Sequence, residues 1–145
     1  MKIAIVSDEI YPVHNVVIEW LKNKGHEVTL YGALQIQENG SWVKSAEAAA
    51  RSILENLNQE GIFFCWTGTG VSMVANRFQK IRAALCFDSE TARAARIWNH
   101  ANVLVLSNRL LSQDIAKEIL SAWFEEYDKT KGFTEVQALN EMQLK

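Results

Sequence analysis

A single proline, two cysteines and no block of like charge rule out several kinds of protein at once. Cys65 and Cys86 each stand near the end of an apolar run, with no secretory leader before them. Free thiols in a cytoplasmic protein are therefore expected rather than a disulfide. The opening MKIAIVSDE meets charge too soon for a signal peptide, and no apolar run nears the roughly 20 residues of a membrane span. With a formal net charge of −2, the chain lacks the basic footprint of a nucleic-acid binder. There is no repeat, low-complexity tract or Pro/Gly-rich linker, so the 145 residues read as one domain, 1–145.

What is present alternates. Strand-like runs (KIAIVSD 2–8, EVTLYG 27–32, GIFFCW 61–66, IRAALC 81–86 and ANVLVLS 101–107) are separated by helical patterns. In the first helix Val13, Val16, Val17, Trp20 and Leu21 recur at helical spacing, and Gly25 marks a stop. Further helices are predicted over 45–59, 70–80, 88–98 with Asp88 as N-cap, 112–127 capped by Ser112, and 133–143. Residues 33–44 (ALQIQENGSWVK) read as a loop. Apolar strands alternating with amphipathic helices predict a parallel sheet covered on both faces, a Rossmann-like three-layer α/β/α sandwich of five strands. Trp20 and Trp123 read as core, Cys86 as a core thiol, and His14 and His26 as surface and loop residues.

In such folds ligands bind beyond the carboxyl ends of the strands. That directs attention to Ser7-Asp8-Glu9, to Cys86-Phe87-Asp88, to Ser107-Asn108-Arg109, and above all to FFCWTGTGVSM, residues 63–73. Gly68 and Gly70 permit close backbone approach. Thr67, Thr69 and Ser72 add hydroxyl donors, and a helix starting near Gly70 would bring amides together at its positive end. No Lys follows the second glycine, so this is not a Walker loop, and the third glycine of a dinucleotide fingerprint is missing. On these residues alone the loop is either an anion cradle or a tight strand-to-helix turn. Cys65 is either a working thiol or a small core residue.

The blocks MKIAIVSD, LKNKGHEV, CWTGTGVSMVANR, IRAALCFDSETAR, NHANVLVLSNRLL and AKEILSAWF resemble, in order and spacing, the ribose-5-phosphate isomerase type B / galactose-6-phosphate isomerase family over about residues 1–125. The resemblance implies aldose–ketose isomerisation of a small carbohydrate through an enediolate, with no metal or organic cofactor. It also implies a homodimer or dimer of dimers with shared active sites, the helix from about 133 packing on the partner. By position, Cys65 corresponds to the base and Asp8 to a sugar-contacting acid. Thr67, Gly68 and Gly70, with Thr69 between them, correspond to the enediolate loop. Asn99 and Arg109 match a substrate-contacting asparagine and a phosphate-side arginine. Four departures stand out. Glu9 replaces a histidine beside the phosphate, Trp66 replaces a glycine, and Trp98 takes the place of the ring-opening histidine, with His100 two residues on. TKGFTEV, residues 130–136, replaces the segment with the C-terminal arginines, and Lys129 and Lys131 are the nearest cations. These departures predict a substrate other than ribose 5-phosphate, with Glu9, Trp66 and Trp98 lining the site. The alternative is a catalytically silent binding or partner subunit.

Overall fold

The computed structural model describes residues 1–142. Strands β1 (Lys2–Ser7), β2 (Glu27–Gly32), β3 (Glu60–Cys65), β4 (Ala83–Leu85) and β5 (Val103–Ser107) form one parallel sheet in the order β2-β1-β3-β5-β4. The helices are α1 (Pro12–Asn23), α2 (Ala33–Ile36), α3 (Trp42–Leu54), α4 (Thr69–Ala75), α5 (Ser89–Asn99), α6 (Gln113–Trp123) and α7 (Phe133–Glu141). Residue 143, the last of the predicted final helix, lies outside the described residues.

Period-two alternation along each strand sends side chains to both faces, and both faces are covered. Ile3, Ile5, Ile62, Phe64, Leu104 and Leu106 pack with α1, α5 and α6. Ala4, Val6, Phe63, Cys65, Val103 and Val105 pack with α3 and α4. The predicted three layers and five strands are therefore as observed. Trp123 and Cys86 are in the core, whereas Trp20 is half-buried and stacks on Phe124 with ring centroids 5.8 Å apart.

Element boundaries moved where side chains replaced backbone partners. The predicted loop 33–44 contains α2 and the start of α3. Ser41 caps α3 by accepting from the Lys44 N–H at 3.1 Å, a start signal that helix propensity alone does not weigh. β4 is three residues rather than six, and α4 ends at Ala75 rather than near 80. One residue accounts for both: Asn76 donates to Ala83 O at 3.0 Å and accepts from Ala83 N at 2.9 Å. Its carboxamide occupies the place of a sixth strand at this edge. The helix predicted over 112–127 stops at Trp123.

The chain leaves β1 for β2 on one side and returns as β3 on the other. This reversal opens a crevice beyond the carboxyl ends of β1 and β3, where parallel sheets hold ligands.

Candidate active site

Ser7 and Phe64 are register partners on β1 and β3, so the next residues, Asp8 and Cys65, leave neighbouring strands side by side. Adjacent strands lie roughly 5 Å apart. Cys65 is 6% exposed and unpaired, on the α3/α4 side of the sheet. Asp8 is 9% exposed, and its Oδ1 is buried with no hydrogen-bond partner among the described residues. Burial raises the Asp8 pKa above the ordinary value, its own backbone N–H opposes this, and the neighbouring Glu9 charge adds to the rise. The result is a carboxyl group held out of water with an acceptor still free.

Glu9 points to the rim, where its Oε2 accepts from the Tyr11 hydroxyl at 2.7 Å. That bond raises the Tyr11 pKa. The Tyr11 ring sits 5.8 Å from the Trp66 ring, and Trp66 is half exposed. Glu9, Tyr11 and Trp66 thus form one wall of the crevice mouth. Arg109 is exposed and adjoins that wall, its N–H donating to Trp66 O at 3.0 Å.

The loop after Cys65 is held internally. The Thr67 and Thr69 hydroxyls lie 2.7 Å apart. Gly68 is the N-cap of α4 in the left-handed region (φ 81°), and a Cβ there would come within 2.5 Å of Leu85 Cδ1. Only glycine fits that turn. Gly70 has a different reason. A Cβ there would meet the Trp42 ring at 2.9 Å, so Gly70 is the flat surface on which α3 starts. The first helical bond of α4 runs from Ser72 N to Gly68 O. The amides of Gly70 and Val71 precede it and have no partner within the helix.

His14, expected on the surface, is 1% exposed. The buried stripe of α1 is Val13, His14, Val17, Ile18 and Leu21 rather than the stripe through Val16 and Trp20. Ile18 was the signal for that rotation. His14 Nε2 lies 2.7 Å from Asn108 Oδ1; Asn108 is marked in the sequence only by its place just after β5, and His14 reads there as a surface residue.

Trp98 and Asn99 are not brought to this crevice within one chain. α5 starts after β4 at the carboxyl edge and ends at Asn99, beside the start of β5. That is the opposite edge of the sheet, about 17 Å away for a five-residue strand. Asn99 lines a cavity of about 600 Å3 with Arg82, Ala83, Leu85, Leu139 and Met142. The described residues lining that cavity include no thiol, carboxylate or imidazole, so the chemistry belongs to the crevice beside Asp8 and Cys65. His100 donates through Nε2 to Lys131 O at 2.7 Å, tying the segment before α7 to the end of α5.

A free thiol and an unpartnered carboxyl, adjacent at the switch point of a parallel sheet, suit an enzyme that moves protons on a small hydroxylated molecule. The ribose/galactose isomerase family model matches residues 3–139. The chain is 36% identical over 126 residues to a D-erythrulose-4-phosphate isomerase of Pectobacterium atrosepticum, covering 86% of this chain and 83% of that protein. It is 33% identical to a ribose-5-P isomerase B of Listeria innocua, covering 86% and 84%. The crystal structure of a ribose 5-phosphate isomerase from Thermotoga maritima superposes with a TM-score of 0.87 at 34% identity, over 97% of this chain and 98% of that one. The chain belongs to the ribose/galactose isomerase family, whose members named here are sugar-phosphate isomerases.

Proposed function

We propose that this aldose–ketose isomerase acts on a short sugar or sugar phosphate other than ribose 5-phosphate, with Cys65 as the base. The observation that carries the reading is the register placement of Cys65 beside Asp8. The Cys65 thiolate takes the proton from C2 of the open-chain aldose. The C–H electron pair becomes the C1=C2 double bond, and the carbonyl pair moves onto O1. Amides that meet charge only as it develops stabilise such an oxyanion most effectively. The unpaired amides of Gly70 and Val71, with Thr67, are placed after Cys65 for that work. The proton returns from Sγ to C1 and the O2 proton passes to O1, giving the ketose with no oxidant or reductant consumed. Asp8 holds substrate hydroxyls through its free oxygen.

The carboxylates of Asp8 and Glu9 at one crevice disfavour a phosphate dianion beside them, which supports a substrate different from ribose 5-phosphate. A four-carbon substrate is the first choice, because the relative at 36% identity is named for D-erythrulose 4-phosphate. The functional unit is a homodimer, in which Trp98 and Asn99 of one copy complete the crevice of the other. The cavity that Asn99 lines together with Leu139 of α7 supports that assembly. The site of action is the cytoplasm; among the described residues no helix is long and apolar enough to cross a membrane.

The test is deuterium exchange at C1 or C2, followed by NMR in D2O. The panel is D-erythrulose, D-ribose and D-galactose, each free and phosphorylated on the terminal carbon. Exchange is expected on at least one sugar and lost in Cys65→Ala. No exchange across the panel would move the assignment to a silent binding or partner subunit, a reading motivated by Trp98 in place of a ring-opening histidine.

A further inference from the structure

Two buried side chains outside the reacting set join the two halves of the crevice. The His14 ring lies against Phe64 of β3, with centroids 4.5 Å apart. Its Nδ1 accepts from the Tyr11 N–H at 3.2 Å. A backbone N–H can only donate, so the ring proton resides on Nε2, which donates to Asn108 Oδ1 at 2.7 Å. The Asn108 carboxamide then donates to Ser7 Oγ at 3.3 Å, and Ser7 Oγ donates to Glu9 O at 2.5 Å. Meanwhile the Asn108 N–H donates to Cys65 O at 2.9 Å. A continuous run of hydrogen bonds therefore leads from the Cys65 main chain, through Asn108 and His14, to both ends of the 7–11 segment carrying Asp8 and Glu9.

We infer that His14 and Asn108 are positioning residues whose hydrogen bond sets the spacing between Cys65 and the Asp8–Glu9 carboxylates. Asp8 cannot set that spacing itself, because its Oδ1 touches no partner. β1 and β5 are not neighbours in the sheet, and this pair reaches across β3 to link them. Stability alone gives no reason for a buried polar pair, since apolar residues of similar shape often serve as well. Geometry does: a displacement of about 1 Å at reacting groups costs about 100-fold in rate. The inference rests on Cys65 being the base, as proposed above.

The two amides that mimic one ring nitrogen each provide the test. His14→Gln places its amide nitrogen near Nε2 and keeps the bond to Asn108. His14→Asn places its oxygen near Nδ1 and keeps only the bond to Tyr11. Steady-state exchange on the six-sugar panel and thermal melts are recorded for both, and for His14→Phe combined with Asn108→Leu. His14→Gln is expected to keep kcat within about threefold of wild type. His14→Asn and the apolar double variant are expected to lose about 30- to 100-fold in kcat with KM changed less than about threefold, the double variant melting near wild type. Rates that simply follow the melting temperatures, or a double variant as active as wild type, would overturn the inference. A wild-type protein silent on every sugar would overturn the isomerase reading first and the positioning role with it.

Discussion

β3 begins and ends in a buried polar cluster, and the two clusters are built on opposite principles. At its start, the Glu60 carboxylate is fully engaged: Oε1 accepts from Arg96 at 2.8 Å and Oε2 from Trp123 Nε1 at 3.0 Å. The guanidinium also donates to Ala101 O at 2.7 Å and lies 4.8 Å from the Trp123 ring centroid. At its end, Cys65 is unpaired and the neighbouring Asp8 keeps an orphaned oxygen. At the amino edge both carboxylate oxygens are paired, although Arg96 Nε is left without a partner, and the cluster locks α5 and α6 onto the sheet. An unsatisfied set at the carboxyl edge leaves capacity for a substrate, which is where a fold departs from its own best packing.

The sharpest test of this contrast is Cys65→Ala. Exchange should fall by about 10³-fold or more, because the base is gone, while the urea midpoint moves little. An alanine variant that still exchanges would place the base elsewhere. Next is Arg96→Met at the other end of the strand. Leaving Glu60 buried and uncompensated should cost about 3–5 kcal/mol in urea unfolding, with exchange per folded molecule unchanged. A large loss of exchange there would blur the division between the two ends.

Asp8→Asn should act in opposite senses on the two properties, lowering exchange about tenfold or more while raising the melting temperature at pH 7 by a few degrees. The sign follows from the raised Asp8 pKa. Between the unfolded and folded values the native state binds the extra proton, so wild type loses stability as pH rises through that window. The variant's advantage should appear at neutral pH and vanish near pH 3. The smallest effect is expected at His14, whose pKa burial lowers. There the unfolded chain binds the proton, so stability is complete above about 6.5 and is lost as pH falls through the folded value. Melts from pH 7.5 to 5 should slope downward in wild type and flatten in His14→Gln.

Cys86 extends the same contrast to the thiols. Burial pushes it up to about 12, with the Asp88 charge adding to the rise. In iodoacetamide labelling of the native protein it should stay unmodified while Cys65 reacts.

Much of this was legible in the chain. Continuous apolar runs specify strands buried on both faces, and their alternation with amphipathic helices specifies the parallel sheet, because no other arrangement covers both faces with such short connections. Asp8, Cys65 and Arg109 could be marked because each stands at or just beyond the carboxyl end of a strand. Asn76 could not, since its role exists only once β4 lies at an edge beside it. Gly68 and Gly70 look alike in the sequence, but only the packed structure rests Trp42 on Gly70. His14 was misjudged by one step of helix rotation. Asn108 could be marked by its place after β5, but its pairing with His14 and Ser7 could not, because those partners are 94 and 101 residues away.

The sequence by itself determined the layers, the crevice and the family, since hydrophobic periodicity and local motifs are properties of neighbouring residues. Only the tertiary structure decided which polar groups are satisfied and which are left open. It also separated Trp98 and Asn99 from Cys65 by the length of the sheet. Those are facts of packing between distant segments, and a buried group's chemistry depends on which segments enclose it.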